Sequence, residues 1–154
     1  MILSTPGRWE GKGNLLTLGS TRSQPMLLTA VIDIDDTGTT IIGDLTLTGF
    51  GELPLSVRIA EDDTGLYAID LHLGGRSLDG SAKMESLPNM GFLWSEDGSQ
   101  TASFTLFDAR DTLGCRGFAR LSEATYTWEM ALQPFQAETA GDNVVSLRNR
   151  RPRR

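Results

Sequence analysis

Residues 26–48 read MLLTAVIDIDDTGTTIIGDLTLT. Met26, Leu28, Ala30, Ile32 and Ile34 recur with a period of two, the period of a pleated strand. The same period resumes at Ile41, Gly43, Leu45 and Leu47. Between the two runs stands Asp35-Asp36-Thr37-Gly38. A tetrapeptide of this kind places Gly in the left-handed region that a tight hairpin requires, where a Cβ would clash. The segment is therefore expected to form two antiparallel strands joined by a hairpin. The tetrapeptide returns as Asp62-Asp63-Thr64-Gly65.

The pattern extends in both directions from this hairpin. Runs of alternating residues cover 7–18, 26–35, 39–48, 53–61, 66–73, 77–87, 89–95, 100–108, 114–121 and 125–135, each followed by a short stretch rich in Gly, Asp, Thr or Ser. Parallel pairing needs crossovers of a dozen or more residues, and no such segment exists. An antiparallel up-and-down meander of about ten strands follows. Laid flat, it would expose two unpaired edges; closing it removes both. An all-β closed barrel over residues 1–136 is expected in preference to a two-sheet sandwich. Residues 137–154 lack the pattern and are expected to be a flexible tail, with Val144, Val145 and Leu147 as its only apolar cluster.

The chain has 154 residues, 22% of them charged and 39% apolar, which suits one globular domain rather than a disordered or fibrous chain. No apolar run approaches the ~20 residues of a membrane helix. The opening MILSTPGRWE lacks a basic stretch and an apolar core, so no secretory signal is expected. One cysteine, Cys115, allows no internal disulfide and fits a reducing cytoplasm. Residues 1–147 carry nine basic and all twenty acidic residues, a net of −11, whereas 148–154, RNRRPRR, hold five arginines and no acid. Such a body repels nucleic acid; only the arginine end would attract it, and weakly.

Alternation assigns an inward face to each strand. Strand one offers Trp9, Gly11, Gly13 and Leu15. Strands four to six add Val57, Ile59, Tyr67, Ile69, Leu78 and Ala82. Strand seven adds Met90, Phe92 and Trp94, strand eight Phe104 and Leu106, strand nine Cys115 and Ala119, and strand ten Tyr126, Trp128 and Met130. No charged residue or histidine lies mid-strand on this face. Acid–base and nucleophilic chemistry need positioned polar groups, so no catalytic residue is assigned. Ten strands enclose more width than the eight that side chains just fill, so either a cavity remains or aromatics fill a flattened barrel.

Gly7-Arg8-Trp9-Glu10-Gly11-Lys12-Gly13 reads G-x-W-x-G-x-G. It resembles the first strand of calycin-like barrels: lipocalins, fatty-acid-binding proteins and, in the glycine spacing, the nitrobindin-like group. The resemblance implies that Trp9 closes one barrel end and that a late-strand arginine, Arg116 or Arg120, packs on it. Three departures limit what carries over. The link 19–25 is too short for a helical lid, and no helix follows the barrel. Nitrobindin-like proteins hold haem through a histidine near the C-terminus, whereas the single histidine here, His72, falls in strand five, pointing outward beside Asp70. The barrel fold carries over; haem does not, and no cofactor or metal is expected.

Other candidates read as structural. A calcium loop would need Asp or Asn in place of Thr37 and Glu in place of Asp44. Cys115 has no nearby base. Asp108-Ala109-Arg110-Asp111 is expected to be a self-paired hairpin loop. What remains is a cytoplasmic, non-enzymatic barrel that binds a small apolar or aromatic ligand through Trp9, Leu28, Ile32, Tyr67, Ile69, Phe92, Trp94, Phe104, Tyr126, Trp128 and Met130. The alternatives are a ligand-free barrel acting through its surface as an oligomer, and an enzyme that merely shapes an apolar substrate. Leu93, Phe107 and Phe118 are expected to share an outward patch suited to a homodimer.

Overall fold

A computed structural model describes residues 2–136. The expected tail, with Val144, Val145, Leu147 and the arginine end, lies outside the described residues. Ten strands run β1 Gly7–Thr17, β2 Ser23–Asp35, β3 Gly38–Leu47, β4 Gly51–Glu61, β5 Tyr67–Leu73, β6 Arg76–Lys83, β7 Asn89–Trp94, β8 Thr101–Ala109, β9 Thr112–Leu121 and β10 Ala124–Pro134. Each pairs antiparallel with the next, and β10 pairs with β1 from Trp9↔Pro134 to Thr17↔Tyr126, which closes the barrel. The expected all-β meander is therefore present. The run expected over 77–87 ends at Lys83, and residues 84–88 form a bend before β7.

Up-and-down order places the turns after β2, β4, β6 and β8 at one end, together with the amino-terminal segment. The amino-terminal segment packs there. Leu3 is buried, and Ile2 rests on the same cluster as Trp9, Ile59, Ile69 and Met84. Trp9 is buried, and its Nε1 donates to the Thr5 carbonyl at 2.9 Å. The tryptophan thus sits at an end, as the resemblance implied. The implied arginine contact does not form. Arg116 points outward, bonds Glu129 at 2.8 Å and lies over the Phe107 ring at 5.2 Å, while Arg120 is exposed.

Direct cross-strand partners share a face of the sheet. Inside, large side chains are set opposite glycines. Gly91 pairs with Phe104, and Gly117 with Trp128. A Cβ on Gly91 would fall within the Phe104 ring, and one on Gly117 would meet the Trp128 ring and the Ser103 carbonyl. The rings lie along the wall over the space the glycines leave open. At Gly13, Gly43 and Gly80 a Cβ would strike the backbone of the neighbouring strand, which marks close approach of the strands there.

This packing reverses the face expected for β7. Met90, Phe92 and Trp94 point outward and are 48%, 47% and 42% exposed. Gly91 and Leu93 point inward; Leu93, expected on the outer patch, is 2% exposed. The register explains the reversal. Gly91 sits between Ala82 and Phe104, and Leu93 between Gly80 and Ala102. Phe92 and Trp94 inside would compete with Phe104 for the same space, and overpacking costs about 1–3 kcal/mol per site. The other nine strands keep their expected faces.

Two stability measurements follow from this packing. In urea denaturation Gly117→Ala is expected to lose about 1–3 kcal/mol and to alter the Trp128 emission. A loss under about 0.5 kcal/mol would mean the ring does not lie on the glycine. Trp9→Ala is expected to lose about 3–5 kcal/mol, the usual cost of truncating a buried tryptophan.

Candidate functional site: the barrel interior

The register lines the interior in rings. One ring runs Gln24, Leu15, Trp128, Gly117, Phe104, Gly91, Ala82 and Tyr67. Another joins Leu28, Leu45 and Leu53, and a third joins Ile32, Ile41, Val57, Leu71 and Leu78. Among the described residues no charged side chain points inward at mid-strand, as alternation predicts. Of the expected lining, Ile32, Ile69, Met130 and Trp9 are buried, and Leu28, Tyr67, Phe104, Tyr126 and Trp128 are half-buried and inward. Phe92 and Trp94 are the two that do not belong to it.

The degree of burial is uneven. Toward the Trp9 end the inward residues Ile32, Ile59 and Leu113 are fully buried. Toward the other end, Leu15, Met26 and Leu47 form a second buried cluster against which Leu45 and Leu53 pack, while Leu45, Leu53, Leu55, Val57, Leu71 and Leu73 point inward yet remain half-buried. These are apolar side chains in a closed wall that a water-sized sphere still reaches. They concentrate on β3, β4 and β5.

The polar groups inside are few, and most are occupied. The Tyr67 hydroxyl donates to Glu85, a bond that raises its pKa to about 12. Burial pushes the Cys115 thiol up, against a partly offsetting hydrogen bond from the Trp128 indole. A thiol held protonated in this way is a poor nucleophile. Gln24 was missed by sequence reasoning because it precedes the apolar run at Met26. Counting two residues back from Met26 places it on the inward face. Its Oε1 is buried and accepts no hydrogen bond among the described residues. Tyr126 also faces inward, one register step from Gln24's ring: it pairs with Thr17, as Trp128 pairs with Leu15.

Outside the lumen the other candidates resolve as structure. His72 is exposed, as expected, with Nδ1 2.8 Å from the Ser77 hydroxyl. It borders an open outer groove of about 420 Å³ with Ile42, Asp44, Pro54 and Ser56. In the repeated turns, Asp35 accepts from the Thr37 amide and hydroxyl, and Asp62 from the Thr64 amide and hydroxyl; these bonds hold both carboxyls below the usual range. Gly38 and Gly65 take φ of 135° and 80°, as a hairpin with a left-handed glycine needs. The 108–111 turn forms no ion pair of its own among the described residues. No group of three or more His, Cys, Asp or Glu among the described residues is placed to hold a metal ion. The chain matches no protein-family model, no curated protein and no solved structure.

Asp97 carries the same turn chemistry furthest. It accepts from the Ser95 hydroxyl at 2.7 Å and from the Ser99 amide and hydroxyl, which bring its pKa down to about 2. A depressed folded pKa stabilises the fold above the ordinary carboxylate range and loses that effect as pH falls. The melting-temperature gap between wild type and Asp97→Ala is therefore expected to be full above about pH 5 and to shrink as pH falls toward about 2. A gap that does not change with pH would contradict the turn's role.

Proposed function

We propose that the barrel is a non-enzymatic binding module whose lumen takes a small, mainly apolar molecule carrying one hydrogen-bond donor. The observation that carries this reading is the half-burial of inward Leu45, Leu53, Leu55, Leu71 and Leu73 inside a closed wall. Apolar walls with few polar groups are the usual make-up of ligand pockets. The buried acceptor of Gln24 supplies the polar contact, because an unpaired buried carbonyl gains most from a donor. The neighbouring Tyr126 hydroxyl offers a second. Among the described residues the interior holds no mid-strand acid or base, which favours binding over catalysis.

The opening G-x-W-x-G-x-G, a buried end-tryptophan and ten closed strands support a calycin-like kinship. Charged residues such as Lys12, Asp33, Arg58 and Asp70 face outward at mid-strand, beside scattered exposed apolar residues such as Val31 and Ile42, while the inward face is apolar. Membrane barrels carry a continuous apolar band outside and a polar interior, so this reading makes the protein a soluble one, and its single cysteine fits a reducing compartment.

The test is fluorescence titration with naphthalene and 1-naphthol. Both are expected to bind wild type. Leu55→Trp and Leu71→Trp, which fill the lumen from two strands, should each abolish binding while circular dichroism stays unchanged. Gln24→Leu should weaken 1-naphthol about tenfold, the value of one buried hydrogen bond, and leave naphthalene unaffected. Binding that survives both filled variants, or no binding by wild type at high micromolar concentration, would sink the proposal.

A further inference from the structure

The reversed β7 leaves an aromatic ridge on the outer surface. Phe92 and Trp94 pack tilted at 35° with ring centres 5.8 Å apart, and Met90 continues the line. Beside the ridge, β8 presents Thr101, Ser103 and Thr105 outward, so a ridge of large side chains runs along a groove of small ones, which Phe107, under the Arg116 guanidinium, closes at its far end. Phe118 on β9, 48% exposed, stands beyond the groove. With aromatics covering about 150–250 Å² each and about half of that open here, the patch exposes roughly 400 Å². That is about half of the ~800 Å² each partner covers in a standard interface.

The register shows what this surface complements. One outer row reads Asp79, Trp94, Thr101, Arg120 across β6 to β9. The next reads Ser81, Phe92, Ser103, Phe118. The third reads Lys83, Met90, Thr105, Arg116. A twofold axis lying against the surface, parallel to the strands and between β7 and β8, exchanges β7 with β8 and β6 with β9. Under that operation Trp94 meets Thr101, Phe92 meets Ser103 and Met90 meets Thr105 of a second copy. Phe118 meets Ser81, and Asp79 meets Arg120. In these rows each large apolar side chain faces a small one, and Asp79 faces a base.

The charges fit this pairing as well. Asp79 lies opposite Asp70 on its own sheet, and neither Asp79 nor Arg120 has an ion-pair partner among the described residues. Lys83 and Arg116 would face one another, yet each is held within its own copy. Lys83 donates to the Ser86 and Leu87 carbonyls at 3.0 Å, and Arg116 is bonded to Glu129.

We infer that the Met90–Phe92–Trp94 ridge seats in the β8 groove of a second copy of this chain, forming a symmetric homodimer with Asp79 paired to the partner's Arg120. The interface is independent of the lumen, whose ligand reading stands or falls on the naphthol titration.

Charge swapping tests the geometry without disturbing the core. The full-length chain is expected to dimerise at micromolar concentration in sedimentation velocity. Asp79→Arg alone and Arg120→Asp alone should each raise the dissociation constant about tenfold or more, because like charges then meet twice per dimer. The double variant should recover wild-type dimerisation. Phe92→Ser should yield a monomer with an unchanged circular dichroism spectrum. A wild type that stays monomeric at high micromolar concentration overturns the inference. So does a dimer insensitive to either single reversal, or a double variant no tighter than the single ones.

Discussion

Closure of the sheet is the constraint on which the rest of the structure depends. Once β10 bonds to β1, each inward side chain must share one enclosed space with those of nine other strands. A flat sheet could tolerate large residues on either face. A closed one can take a large residue only where its neighbours make room. The glycines meet that need, since Phe104 and Trp128 lie over Gly91 and Gly117 rather than projecting to the barrel axis. At β3 to β5 leucines rather than aromatics line the wall, and several of them stay half-buried.

The same constraint shapes the exterior. Because Phe104 takes the space inside, β7 presents Gly91 and Leu93 inward and turns its three bulky residues to solvent. Exposing two aromatics and a methionine forgoes a few kcal/mol of burial. A partner surface that covers them recovers part of it. The inward Phe104 and the outer ridge are thus two consequences of one packing choice: a strand that keeps its glycine inside makes room for a neighbour's ring on one face and creates an apolar edge on the other.

The two ends of the barrel are also unlike each other. At one, Leu3 and Trp9 cover the core, and Tyr67 is tied to Glu85. At the other, Leu15, Met26 and Leu47 are buried, the leucines of β4 and β5 stay within reach of solvent, and the Gln24 acceptor has no partner among the described residues.

Period-two alternation and short glycine turns are local properties, so the sequence alone determined the ten strands, their antiparallel order and the inward faces of nine of them. The Asp35 and Asp62 turns were equally legible, because their hydrogen bonds span only a few residues. The face of β7 was not. The run Met90, Phe92, Trp94 alternates as regularly as any other, and its own residues favour the inward side. What overrides them is Phe104, a neighbour across the sheet whose claim on the space appears only once the register is set. Gln24 was hidden for a related reason: its burial comes from the ring closed by β1 and β10, not from an apolar run of its own. Strand identity is written in the spacing of residues along the chain, whereas the use of interior volume is decided between strands, by which large side chain finds a glycine opposite it.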